Sequence, residues 1–243
     1  MSKIKIFSLG GLDESGKNTY IMEIDKDLFV FDCGLKYASG NMFGIDYIIP
    51  DFEYLVKNKK RIKGVFLTHG HYENMGAVND LLSVIPNLKV YATKFTKYVL
   101  MDMGVNKDNI FEIKAHKKMN FGPNSIFPIS VSHSSPDSVM YVINTKDGAI
   151  CYTGDFIFDP SMMGAYDMDL GKIAYVGKQG VLCLLSESVF SENIGHTSPN
   201  HKLEEIFKKT IKNAKARIMF MVLPTHLYNL LLYFLIQYYT RNI

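Results

Sequence analysis

The chain has 243 residues, 47% hydrophobic and 21% charged, with a formal charge of +3. This composition is ordinary for a soluble globular protein and long enough for one large domain or two small ones. The mild positive charge permits an anionic partner without arguing for one. The wide spacing of Cys33, Cys151 and Cys183 excludes a cysteine-rich zinc site.

All three cysteines lie in apolar segments, as expected of buried thiols in a reducing compartment. Met1 to Lys5 lacks the apolar core of a signal peptide, so a cytoplasmic location is expected. Lys3–Ser8 alternates apolar and polar residues like a strand, and Gly10-Gly11 breaks it. Gly16-Lys17 lacks the full glycine-rich pattern of a phosphate-binding loop. Thr19–Ile24 and Leu28–Phe31 read as two further strands, the second delivering Asp32 to its end. A turn-forming Asp close before a glycine is common, so Asp32 gains weight only from what converges on it. Tyr47–Asn58 reads as a short helix around Pro50, and the basic run from Lys57 to Lys63 as a solvated surface.

Val65-Phe66-Leu67 is a buried strand ending in Thr68-His69-Gly70-His71-Tyr72-Glu73-Asn74. Alternate residues of an extended segment point the same way, so His69 and His71 can face one point, as paired metal ligands do. The competing reading has both histidines bonding to nearby backbone. Ala77, Leu81, Leu82 and Ile85 then recur at helical spacing up to Pro86, making the histidine loop a strand-to-helix turn that favours anions. Lys89–Ala92 reads as a strand and Thr93–Met103 as an amphipathic helix with an apolar core stripe.

Strands dominate from Ile110 to Thr153, at Ile110–Ile113, Ile126–Val131, Val139–Ile143 and Ile150–Thr153. Two of them end in His133 and Asp155, the latter after Gly154, which allows close backbone approach. Asp32, the His69/His71 pair, His133 and Asp155 thus stand at four strand ends, where sites of layered α/β sheets gather. His116, beside two lysines, reads as surface; His196, His201 and His226 show no partner pattern. Asn200–Lys215 reads as an amphipathic helix with Leu203, Ile206, Phe207 and Ile211 inward. The apolar run from Leu227 to Ile236 falls short of the roughly 20 residues of a transmembrane helix. With Pro224, His226 and Asn229 interrupting that region, an interfacial or core helix is expected and no membrane partner.

Several segments carry a resemblance: Lys5–Gly11, Gly16-Lys17-Asn18, Gly44–Asp51, His133-Ser134 with Pro136-Asp137-Ser138, Thr153–Phe156 with Phe158-Asp159, and Leu184–Ser188. Together they resemble the metallo-β-lactamase superfamily and, within it, the ribonuclease J family of the β-CASP branch, through about residue 217. The resemblance implies an α/β αββα sandwich over residues 1–199 and the start of a β-CASP domain over residues 200–243. It implies zinc-dependent hydrolysis of RNA, with His69, His71 and His133 holding the first zinc and Asp155 bridging to a second. Asp32 falls on the supporting Asp of the family's first motif, and with Asp155 is the expected catalytic pair.

The family signature is His-x-His-x-Asp-His, so its Asp falls on Glu73 and its last His on Asn74. Glu73 is one methylene longer than the Asp and a doubtful ligand; a neutral amide at Asn74 is a degenerate one. One zinc is therefore expected, with the second site eroded, as in a degenerate paralogue that accompanies an active ribonuclease J. The same resemblance implies an incomplete lactamase sandwich, because the final strand and helices that follow the β-CASP domain in the family have no counterpart here. For the apolar last residues, a shifted frame or an early stop stands as an alternative to the interfacial or core helix. Expected partners are RNA and either a ribonuclease J paralogue or a second copy of the chain. The alternatives are a non-catalytic partner role and, more distantly, another hydrolase of the same fold.

Overall fold

A computed structural model describes residues 1–189, 191–195 and 201–219, and beyond them 221, 227, 228, 230, 231, 233 and 234. In chain order the elements are β1 (Ile4–Gly10), β2 (Thr19–Ile24), β3 (Asp27–Phe31), β4 (Lys36–Tyr37), β5 (Tyr47–Ile48), α1 (Glu53–Lys57) and β6 (Ile62–Phe66). Then come α2 (Tyr72–Met75), α3 (Val78–Val84), β7 (Val90–Ala92), α4 (Lys94–Asp102), β8 (Ile110–Glu112) and β9 (Met119–Phe121). β10 (Asn124–Ser130), β11 (Val139–Thr145), β12 (Gly148–Tyr152), α5 (Leu170–Gln179), β13 (Val181–Leu185) and α6 (His201–Asn213) complete the series.

Two sheets stack face to face. The first has the order β1-β2-β3-β6-β7-β8 and the second β13-β12-β11-β10-β9. Side-chain alternation assigns each strand residue to a layer. On β3, Phe29 and Phe31 enter the space between the sheets, where they meet Phe66, Ile126, Tyr141 and Ile150. Leu28 and Val30 point the other way, into a cluster with Leu55 of α1, Met75 of α2 and Val78 and Leu81 of α3. On β11, Tyr141 and Ile143 face the first sheet, whereas Met140 and Val142 pack outward with Cys151, Met168 and the partly buried Leu170, Ile173 and Val176 of α5. Helices therefore cover both outer faces, and the layering is αββα, as expected. The buried hydroxyl of Tyr141 donates to the carbonyl of Leu67 at 2.6 Å, fastening the second sheet to the segment that leads into the His69 loop.

Several expectations are corrected. The helix expected around Pro50 is a β4–β5 pairing of Tyr37 with Tyr47 and Lys36 with Ile48, followed by a five-residue helix that starts only at Glu53. A proline disfavours helical backbone at the residue before it, here Ile49, and Asp51 caps the backbone N–H of Glu53 at 2.8 Å. Cys33 and Cys151 are buried, but Cys183 is only half-buried because β13 is an edge strand of its sheet among the described residues. In α6, Phe207 and Ile211 are half-buried but Ile206 is 57% exposed. His196 and His226 lie outside the described residues, as does the side chain of His201. Among the described residues no helix is long and apolar enough to cross a membrane.

Candidate metal centre

The strands that end in chemistry all end on one side of the sandwich. β3 and β6 are parallel neighbours, so Asp32 and the His69-Gly70-His71 loop emerge side by side. In the second sheet β10 and β12 run the same way, each antiparallel to β11, so His133 and Asp155 emerge together. β13 is parallel to β12 and adds Glu187 two residues beyond its end. Gly154 (φ +58) lets this second group close on the first: a Cβ there would lie 2.7 Å from Thr68 Cβ.

Nε2 of His69 lies 3.0 Å from Nδ1 of His71, which in turn lies 3.1 Å from Nε2 of His133. The three residues offer nitrogens that all fall within 4.8 Å of one another. Four ligands around zinc at about 2.0–2.1 Å place neighbouring nitrogens about 3.3 Å apart, so the triad has the spacing and chemistry of a tetrahedral imidazole site. Asp155 Oδ2 stands 3.7 Å from His69 Nε2, on the edge of this triad. Burial pushes the Asp155 carboxyl up to about 7, and the charges of Glu187, Asp32 and Glu73 push the same way. Burial also raises Glu187, against the backbone N–H of Phe156, which donates to it at 2.7 Å. An acidic group held this close to neutrality, with three carboxylates around it, is set for a cation.

Asp32 is fully buried and sits in the left-handed region at φ +59, where a short polar side chain is tolerated. Its carboxylate accepts from the Thr68 N–H at 2.8 Å, the Thr68 hydroxyl at 3.0 Å, Asn74 Nδ2 at 2.9 Å and the Tyr152 hydroxyl at 2.8 Å. Burial pushes Asp32 up to about 6 against the pull of these donors. The Thr68 hydroxyl also lies 2.9 Å from His69 Nδ1, linking the carboxylate to the triad.

Of the residues that the sequence points to, His69, His71, His133 and Asp155 come together, and Asp32 lies behind them through Thr68. Glu73 acts on Asp155 through its charge and stands outside the triad. Asn74 is fully buried and directs its amide to Asp32. His116 is corrected from surface to half-buried: its Nε2 lies 3.3 Å from Ser130 Oγ and 3.5 Å from Asp169 Oδ2. Burial lowers its pKa, aided by Lys172 and opposed by Asp169. Thr68, Tyr152, Asn18 and Glu187 take part in the site without a role that the sequence announces. The signal for the first two is adjacency, Thr68 preceding His69 and Tyr152 standing at the end of the strand that delivers Asp155.

Comparison with known proteins agrees with this geometry. The family model described as the metallo-beta-lactamase superfamily matches residues 12–172. Ribonuclease J2 of Bacillus subtilis is 38% identical over 229 residues, which are 92% of this chain and 41% of that protein. Ribonuclease J 2 of Staphylococcus saprophyticus is 36% identical over 221 residues, 89% of this chain and 40% of that protein. The chain thus spans about 40% of the length of these curated relatives. A crystal structure of a protein of unknown function from Enterococcus faecalis shares the fold, with a TM-score of 0.71, 17% identity, and coverage of 96% of this chain and 63% of that one. With a match that runs through β2 to β12 and takes in His69, His71, His133 and Asp155, the chain belongs to the metallo-beta-lactamase superfamily.

Proposed function

We propose that this chain is an RNA-processing protein of the ribonuclease J type, with a single zinc centre that hydrolyses RNA phosphodiesters weakly or not at all by itself. The observation that carries the reading is the convergence of His69 Nε2, His71 Nδ1 and His133 Nε2 at 3.0 and 3.1 Å, with Asp155 alongside. In this reading the three histidines hold the ion and Asp155 completes its shell. When bound, Zn²⁺ supplies a Lewis acid and acidifies water. Asp155 is ionised when it ligates, and Asp32 orients His69 through Thr68. Residues 1–199 form the lactamase-type part of the protein and residues 200–243 the start of a β-CASP domain, with a cytoplasmic location. RNA as the partner follows from the similarity to the two ribonucleases J2.

A specific observation favours the second reading, a non-catalytic partner of an active ribonuclease J or of another copy. The amide of Asn74 is committed to Asp32 where the family places a second-metal ligand. The deciding experiment measures zinc per chain together with hydrolysis of 5′-monophosphorylated single-stranded RNA. One zinc per chain, lost in His71→Ala, supports the centre; two zincs with full activity overturn its mononuclear form. One zinc without hydrolysis selects the partner reading.

A further inference from the structure

We infer that Asn74 is a positioning residue that sets the tautomer of His69 through Asp32 and Thr68. A carboxylate has about four acceptor sites, and Asp32 fills them with Thr68 N–H, Thr68 hydroxyl, Asn74 Nδ2 and Tyr152 hydroxyl at 2.8, 3.0, 2.9 and 2.8 Å. The Thr68 hydroxyl has one hydrogen, and with the ionised Asp32 acting only as an acceptor, that hydrogen goes to the carboxylate. Toward His69 Nδ1, 2.9 Å away, the same oxygen can only accept. His69 therefore carries its proton on Nδ1, and the Nε2 lone pair faces the nitrogens of His71 and His133.

Asn74 closes the chain of orientation at its far end. Its carbonyl oxygen accepts from Asn18 Nδ2 at 3.4 Å, so its NH₂ group is the one that faces Asp32. The backbone fixes both amides. Asn18 N–H donates to Glu73 O at 3.0 Å, Cys33 N–H to Asn74 O at 2.7 Å, and Gly34 N–H to Asn18 O at 3.0 Å. The position that departs from the family signature thus has a task of its own: it holds the acceptor geometry on which the His69 lone pair depends.

This inference rests on reading the three histidines as a metal centre, and its tests separate the two. In the intact chain without metal, long-range ¹H–¹⁵N NMR is expected to find His69 as the Nδ1–H tautomer. Finding the Nε2–H tautomer there overturns the inference with no variant involved. Asn74→Ala, and Thr68→Val at the next step, are expected to mix the tautomers and weaken Zn²⁺ binding about 10- to 100-fold. Asn74→His, which restores a ring N–H at that place, is expected to recover the Nδ1–H form. An Asn74→Ala chain that keeps both the tautomer and the zinc affinity overturns the inference. Failure of the unaltered chain to bind Zn²⁺ overturns the metal reading instead and leaves the tautomer to judge Asn74.

Discussion

Gly34 passes the carbonyl of Glu73 so closely that a Cβ at position 34 would lie 1.6 Å from that oxygen and 2.9 Å from Asn18 N. Both neighbours are backbone atoms bonded to each other, Asn18 N–H to Glu73 O at 3.0 Å, so neither can step aside. Gly34→Ala is therefore expected to cost more than about 3 kcal/mol, the upper end of ordinary overpacking. Urea denaturation checks this, and zinc binding should fail with it because Asp32 and Asn74 flank the same contact.

Asp32 offers a second test of the same region. Asp32→Ala would leave the Thr68 N–H, Asn74 Nδ2 and Tyr152 hydroxyl buried without their acceptor. A loss of about 1–3 kcal/mol is expected for each buried donor left without an acceptor. Tyr152→Phe removes only one donor to a charged acceptor and should cost about 1.5–3 kcal/mol. Equal losses in the two variants would count against a shared carboxylate.

The pH dependence of the metal-free chain follows from Asp155, raised to about 7, and Asp32, raised to about 6. Both carboxyls bind protons more tightly when folded than when unfolded. Their contribution is fully present below about pH 4 and is lost as the pH rises through 6 and 7. With a chelator present, stability against urea should fall by roughly 2–4 kcal/mol from these two groups between pH 5 and pH 8. Added Zn²⁺ should reverse the trend, because a ligating carboxylate must be ionised. A metal-free chain that gains stability across that range would refute the assignment.

At the edge of the second sheet among the described residues, Leu182 and Leu184 of β13 are 54% and 62% exposed. Exposed apolar edge strands pair with other chains, and a lysine there blunts them. Leu184→Lys is expected to reduce self-association in light scattering while changing stability by less than about 0.5 kcal/mol.

The sandwich is legible in the sequence where burial is two-sided. Leu28–Phe31, Val65–Leu67 and Ile150–Tyr152 are apolar throughout because both faces are covered, and each runs directly into the site. The histidines are legible because two imidazoles at the end of a core strand are costly to bury unless a partner binds their nitrogens. What stays hidden depends on neighbours distant in sequence. Tyr152 looks like any strand aromatic until its hydroxyl is found 2.8 Å from Asp32, 120 residues away. The sequence around Pro50 suits a first helical turn, yet Tyr47 pairs with Tyr37 across a loop that local spacing does not reveal. His116 is obscured because two adjacent lysines disguise a ring that packs near Ser130.

The triad draws its members from opposite layers: His71 belongs to the first sheet and His133, 62 positions later, to the second. An ion seated among them would be a cross-link between the two halves of the sandwich, closing a long loop much as a disulfide does. Its removal would unfasten the layers at the end where Asp32, Thr68 and Tyr152 meet. Occupancy would then govern the lifetime of the fold as well as its chemistry, and a chain with no hydrolytic role would still have reason to keep all three histidines.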